Sequence, residues 1–367
     1  MRSIGAFQRA LEASVVSFVE RCDLPHHALR LPSNRLALVA CRRFPGAGHF
    51  LVPERGGLQA ARRLTDAAEL VSCHSFYLLH PAWVESVCGR RGIPYWLVPH
   101  GILDPYAQRR NRALKQLYMT VVGRRCLANA SATVFSSRNE RDKALKSVRV
   151  ANPVVISWPV DVSGSFDREA ARAALRARLG IPGEAKLLLA LGRLHPMKRP
   201  LETIRFFAAS MDRPWHMLLV GHPDGITEEQ CLREAVACDM AGRVHVIPGL
   251  PASGVQEVIQ GCDLYISYSF RENFNNAAAE CLANGIPILM SSGNDLLAEV
   301  GPSSSVGTLP ESAAEAMQTL KTWASMGSAE LIDRGRAGHD WAKANLSFET
   351  FRGRLLELRR DTLGTRA

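Results

Sequence analysis

Short apolar runs alternate along this chain with stretches whose apolar positions recur every three or four residues. The first pattern predicts buried strands and the second amphipathic helices. In the first half the runs are "LALVA" in the 37–40 region, "ELVSCH" (69–74), "YWLVPH" (95–100) and "SATVFSS" (131–137). In the second half they are "KLLLALG" (186–192), "WHMLLVG" (215–221), "RVHVIPG" (243–249), "DLYISYS" (263–269) and "PILMSS" (287–292). Strands that are apolar throughout and separated by helices belong to parallel sheets covered on both faces. The expected fold class is therefore α/β, with two Rossmann-like, doubly wound parallel-sheet domains. The Pro- and Ser-rich segment "ANPVVISWPVDVSGSF" (151–166) has no helical period and reads as the linker. This gives an N-terminal domain over 1–155 and a second over 156–345. A closing segment, 346–367, contains the helical stretch "SFETFRGRLLELRRD", with Phe351, Leu355, Leu356 and Leu358 toward a core. No internal repeat or low-complexity tract interrupts the pattern.

At the start of the chain, Phe7, Leu11, Val15, Phe18 and Val19 keep helical spacing and predict one opening helix. The run "ASVVSFV" is too short to cross a membrane, and Glu12 and Glu20 bracket it where a signal peptide carries a basic leader and small residues. A cytoplasmic protein is expected.

The length of 367 residues, 47% hydrophobic and 22% charged, suits a two-domain globular protein. Nine cysteines, an odd number without a CxxC pair, predict buried reduced thiols and no metal site. Net charge is +10, and its distribution is uneven: residues 1–160 hold 23 Lys and Arg against 10 Asp and Glu, leaving 22 against 25 for the remainder. The densest basic part is "YAQRRNRALKQLYMTVVGRR", where Arg109, Arg110, Arg112, Lys115, Arg124 and Arg125 alternate with Leu114, Leu117, Tyr118, Val121 and Val122. Such a helix is either a solvated basic face or a surface for an anionic membrane or a phosphorylated acceptor. No nucleic-acid reader motif accompanies the charge.

Three constellations carry candidate chemistry. In "FRENFNNAAAECLANGIP" (270–287), Asn273 or Asn275 is placed to cap a helix that Gly285 ends. Glu272 then precedes that helix and Glu280 lies within it, with an anion-binding N-terminus between them. A ligand with hydroxyls at both ends and phosphate in the middle would fit. In "LLLALGRLHPMKRP" a buried strand ends at Gly192, and Arg193 and Lys198 follow where open α/β sheets bind ligands. Two cations there can neutralise a departing diphosphate without a metal. No Asp-x-Asp pair occurs in the chain. In "PYWLVPHGILDPYA", His100 falls at a strand end beside Gly101; on its own such a histidine is more often structural.

Taken together and in this order, "PHGILDPYA", "GRLHPMK" and "ENFNNAAAECLANGIPIL" resemble the retaining glycosyltransferases of family 4, over roughly residues 69–360. The resemblance implies the GT-B architecture, two domains facing a cleft with a C-terminal helix crossing back to the first. It implies a metal-independent hexosyltransferase, without cofactor, that moves a sugar from a UDP- or GDP-sugar to a hydroxyl acceptor. By position, Arg193 and Lys198 match the pair that holds the donor diphosphate, and Glu280 matches the carboxylate on the ribose hydroxyls. Glu272 matches the first glutamate of the E-x7-E motif, facing the donor sugar. Backbone amides at Phe274, Asn275 and Asn276 lie near sugar and phosphate, and the base lies near Gly249 and Leu250. His100 matches the histidine that reaches the donor sugar, making His100 and Glu272 the catalytic residues.

The acceptor expected is a saccharide or lipid-linked saccharide of bacterial cell-surface polysaccharide or lipopolysaccharide synthesis, met at the inner membrane face through residues 105–125. The chain departs from the family in three places. The first strand and its glycine-rich loop are missing ahead of the opening helix, Asn275 replaces a common glycine, and "SWPVD" replaces a more usual linker. A non-catalytic nucleotide-sugar-binding relative and an epimerase or hydrolase on the same fold are the alternatives. A dinucleotide oxidoreductase is poorly supported, since "GAGHFL" at Gly46 and Gly48 lacks a third glycine.

Overall fold

A computed structural model describes residues 2–20, 36–43, 51–53, 58–109, 111–162, 168–212 and 214–364. The stretch "GAGHFL" lies largely outside them. The chain divides into two compact units, residues 1–159 with 348–367, and residues 160–347. The closing helix Phe348–Gly364 thus belongs to the first unit. There it packs on the helix Arg2–Leu11 with the Phe7 and Phe351 rings 5.4 Å apart, and Trp96 Nε1 donates to Thr362 Oγ1 at 3.0 Å.

Unit 1 contains strands β1 (Val15–Glu20), β2 (Leu36–Arg43), β3 (Leu51–Pro53), β4 (Val71–His74), β5 (Tyr95–Val98), β6 (Ala132–Phe135) and β7 (Pro153–Val155). They form two sheets, one ordered β1-β2-β3 and one ordered β4-β5-β6-β7. The second is parallel throughout, and β1 runs parallel to β2. A cavity of about 510 Å³ lies between the sheets, lined by Val15–Phe18 of β1 on one side and Val71–His74 of β4 on the other.

Two expectations are corrected here. The opening helix does not continue through Val15, Phe18 and Val19. It ends at Leu11, the backbone turns at Glu12 (φ 51°), and the β-branched Val15, Val16 and Val19 enter a strand. The segment 151–166 is not wholly linker either, since β7 pairs with β6 before the unit boundary at Pro159.

Among its described residues unit 2 has one sheet of six parallel strands: β8 (Lys186–Leu191), β9 (Trp215–Val220), β10 (Val244–Ile247), β11 (Leu264–Ser267), β12 (Ile288–Ser291) and β13 (Val306–Leu309). Their order is β10-β9-β8-β11-β12-β13, so the winding reverses between β8 and β11. Leu187, Leu188 and Leu189 of β8 are fully buried, as a central parallel strand covered on both faces requires. The helix Glu228–Ala237 opens with a reciprocal capping box between Thr227 and Gln230. Beneath β8, the buried Arg176 reaches Asp263 at 2.7 Å, and the same carboxylate accepts from Leu187 N at 2.8 Å, tying the helix Arg168–Leu179 to the sheet. The described cysteines are free, and all but the half-buried Cys238 are buried.

Candidate active site

In open α/β sheets a ligand sits at the carboxyl ends of the strands where the winding reverses. The loops after β8 and β11 meet at that point in unit 2. Gly192 has φ 149°, and a Cβ there would touch the Lys198 side chain at 3.4 Å. Behind it, a side chain on Gly221 would lie 1.7 Å from the Gly192 carbonyl oxygen, so the ends of β8 and β9 close up only on glycine. A single 3₁₀ turn, Pro196–Lys198, capped by the His195 ring, leads into the helix Pro200–Ser210. Phe270 N donates to Met197 O at 2.8 Å, and the Arg199 guanidinium lies 5.1 Å from the Phe270 ring centre, linking the two loops.

Lys198 Nζ pairs with the Glu272 carboxylate, both side chains being largely shielded from solvent. Arg193 pairs instead with Asp224 and is mostly exposed. The two cations expected to act together are thus each balanced by a carboxylate of their own. Glu272 is held by its backbone, which donates to Gly293 O at 3.0 Å and accepts from Asp295 N at 3.1 Å.

The helix Asn276–Ala283 begins at Asn275, whose side chain accepts from Ala278 N at 3.2 Å. Asn275 is only 1% exposed, and its Nδ2 donates to Ser267 Oγ at 3.0 Å and Asn294 Oδ1 at 2.8 Å. Its side chain therefore builds the loop from below, leaving only its backbone for a ligand. Phe274 is buried, Asn276 is exposed, and Glu280 is half-buried further along the helix. Gly249 follows β10 and packs against the His222 ring, where a Cβ would stand 2.2 Å from Nε2, and half-buried Leu250 comes next.

A buried polar network under these loops gives no motif in the sequence. Asn294 Nδ2 donates to Ser291 O at 3.1 Å, Ser291 Oγ donates to Ser269 O, and the Ser267 and Ser269 hydroxyls are 3.1 Å apart. Above it is a cavity of about 30 Å³, enough for one water, lined by Lys198, Ser267 and Ser269 among others. The only signal was the unusual density of Ser and Asn at the ends of two apolar strands.

In unit 1, His100 ends the segment after β5 with φ 54°, an unusual conformation for a residue with a side chain. Its Nε2 lies 3.0 Å from His74 Nδ1, and His74 Nε2 lies 3.1 Å from Ser72 Oγ. Burial pushes His100 down to about 4 and His74 well below the usual histidine range, the latter also through its neighbour His100. Both rings are neutral at pH 7, one nitrogen of the pair donating and the other accepting. The turn after His100 is fixed by the buried Glu140, which accepts from Gly101 N at 2.5 Å and Ser136 N at 2.7 Å. Neither His74 nor Glu140 was found from sequence, since each partner is distant along the chain.

Residues 171–321, within unit 2, match the family model described as Glycosyl transferases group 1. The curated relatives include D-inositol 3-phosphate glycosyltransferases. That of Acidothermus cellulolyticus is 30% identical over 234 residues, 59% of this chain and 51% of the relative. That of Nocardia farcinica is 26% identical over 302 residues, 78% of this chain and 60% of the relative. The chain spans roughly half of the length of the curated relatives it matches. Among solved structures, sucrose-phosphate synthase from Thermosynechococcus elongatus aligns with a TM-score of 0.73 at 16% identity, covering 99% of this chain and 92% of the other. HepE from Anabaena, solved with UDP and glucose, aligns with a TM-score of 0.68 at 15% identity, covering 89% and 86%. The fold shared with these structures is GT-B, built of two Rossmann-like units. No described helix is long and apolar enough to cross a membrane.

Proposed function

We propose that this protein is a glycosyltransferase that moves a sugar from a nucleotide-diphosphate donor to a hydroxyl acceptor with retention of configuration. The observation that carries the reading is the Lys198–Glu272 pair at the β8/β11 reversal, inside the stretch that matches group 1 glycosyl transferases. Lys198 and Arg193 bind the donor diphosphate, and Glu280 binds the ribose. Backbone N–H groups at the start of the helix Asn276–Ala283 add favourable dipoles. Glu272 turns to the donor sugar once the diphosphate takes its place on Lys198. The base packs near Gly249 and Leu250, and His100 serves as the second catalytic residue by resemblance.

In the step itself the bond between the anomeric carbon and the diphosphate oxygen breaks. The acceptor oxygen bonds to that carbon on the same face, and its proton passes to a departing phosphate oxygen. Lys198 and Arg193 stabilise the charge that develops on the leaving group, which is where fixed cations lower the barrier most. No metal is assigned to the step.

Structures of HepE hold UDP or UDP-glucose, which favours a uridine donor over a guanosine one. A saccharide or lipid-linked saccharide of bacterial surface polysaccharide or lipopolysaccharide is the proposed acceptor. The test is calorimetry of the purified chain against UDP, GDP and their sugar conjugates, with Glu280→Ala and Arg193→Ala alongside. Binding of one nucleotide, lost in both variants, supports the assignment. Binding that survives both substitutions overturns it.

A further inference from the structure

Between Asp104 and Glu140 the sequence contains no acidic residue, yet Arg109, Arg110, Arg112, Lys115, Arg124, Arg125 and Arg138 all fall there. Sequence alone leaves open whether the apolar residues among them serve the core. The structure separates them. The helix Arg112–Tyr118 continues through a π-helical turn, Met119–Gly123, into the helix Arg124–Asn129. On the inner side Tyr118, Met119 and Val122 pack against the unit 1 core, and Gly123, Cys126 and Leu127 are buried. A Cβ on Gly123 would meet Met119 Sδ at 2.7 Å, so the turn is seated closely. On the outer side Leu114, Leu117 and Val121 are 51%, 60% and 68% exposed, three and four residues apart.

Single exposed leucines are ordinary, but three on one face of a continuous helix form a ridge. The same stretch of chain is cationic: Arg109, Arg112 and Arg124 are exposed along it. Two other cations are already engaged, Arg125 with Glu85 at 2.6 Å and Lys115 with Ala107 O and the face of Tyr77. An apolar ridge flanked by arginines without any acid is the pattern of a helix lying in a lipid headgroup layer, with apolar side chains inserted and guanidinium groups on phosphates.

We propose that this ridge docks unit 1 onto an anionic membrane surface. A nucleic acid would use the arginines but give Leu114, Leu117 and Val121 nothing to bury against. A second copy meeting ridge to ridge about a two-fold axis would bring like charges together. An anionic lipid surface satisfies both halves of the pattern. Docking of this kind is independent of the donor site in unit 2.

The experiment is co-sedimentation of the full chain with vesicles of phosphatidylcholine alone or with about a third phosphatidylglycerol, at low and high salt. Two variants go beside it: Leu114→Gln, Leu117→Gln and Val121→Gln together, and Arg109→Gln, Arg112→Gln and Arg124→Gln together. All six positions are exposed, and unchanged thermal unfolding confirms that each variant folds. The expected results are binding to anionic vesicles only, a loss of at least tenfold in the apolar variant, and about a hundredfold loss in the arginine variant at low salt. If the apolar variant binds like the parent, or the parent ignores anionic vesicles, the proposal falls. It falls equally if light scattering finds the parent self-associated and the apolar variant monomeric, which would assign the ridge to a second copy.

Discussion

Unit 2 threads β8 between β9 and β11 and closes six strands into one sheet, whereas unit 1 divides its strands between two sheets with a cavity of about 510 Å³ between β1 and β4. Among the described residues the same strand-and-helix alternation thus yields a continuous core in one half and an interrupted one in the other. The difference teaches where precision is held. In unit 2 every loop at the reversal is anchored to a fully paired strand, and a buried Ser/Asn network supports it from beneath. Among the described residues of unit 1, two strand edges border this cavity instead of pairing or packing closely. Precision there is confined to the second sheet, where Glu140 and His74 set the turn at His100.

The largest expected effect comes from the loops of unit 2. Arg193→Ala and Lys198→Ala should each lower nucleotide release from the sugar donor by about 100- to 1000-fold, because each removes a fixed charge from the leaving group. A matching loss from an exposed unit 1 substitution such as Arg90→Ala would break the comparison. Hydrogen exchange sharpens it next. Amides of β1 and β4 should exchange on the order of 100-fold faster than those of β8 and β11, since strand edges beside a void open more readily. Equal protection would mean that the cavity is filled in solution.

A smaller effect tests the network. Asn294→Ala strips partners from Asn275, Ser267 and Ser291 and should cost about 2 kcal/mol in denaturant unfolding of unit 2, leaving the unit 1 transition in place. Smallest is the pH response of unit 1. His100 titrates near 4 when folded against about 6.5 when unfolded, so the unfolded chain takes up the proton first as pH falls. Stability from this group is therefore full above about pH 6.5 and declines toward pH 4, by about 1 kcal/mol for a partly solvated ring. His100→Gln should flatten that slope in thermal unfolding followed between pH 7 and 4.5.

The parts of the fold that were legible in the sequence are those whose environment is uniform. β8, β9, β11 and β12 read as unbroken apolar runs because both faces are buried. β13, "VGTL", is short, contains glycine, and leaves Thr308 exposed, so it carried no such signal. From sequence β1 reads as helix because Phe7, Leu11, Val15 and Phe18 keep helical spacing across a turn that only backbone geometry reveals.

The candidate site divides in the same way. Arg193, Lys198 and Glu272 could be proposed as site candidates because loops at strand ends hold them, and Glu280 because it lies in the helix that follows. Which carboxylate neutralises which cation could not, since Arg193 meets Asp224 across 31 positions. Asn275 reads from sequence as a cap whose backbone amide faces the ligand, but spacing does not reveal the bonds its buried side chain makes to Ser267 and Asn294. Glu140 reaches Gly101 over 39 positions and His74 reaches His100 over 26, distances at which local patterns carry no information.

The Lys198–Glu272 pair makes the resting site an ion exchanger loaded with its own counter-ion. An uncharged sugar offers nothing to exchange, and a singly charged one offers no more than Glu272 already supplies. Only a ligand with at least two negative charges close together gains by displacing the carboxylate. In doing so it releases that carboxylate beside the group it carries. Under the proposed function, admission to the site and arming of the glutamate become a single event, set by the valence of the incoming molecule before its sugar or base is read.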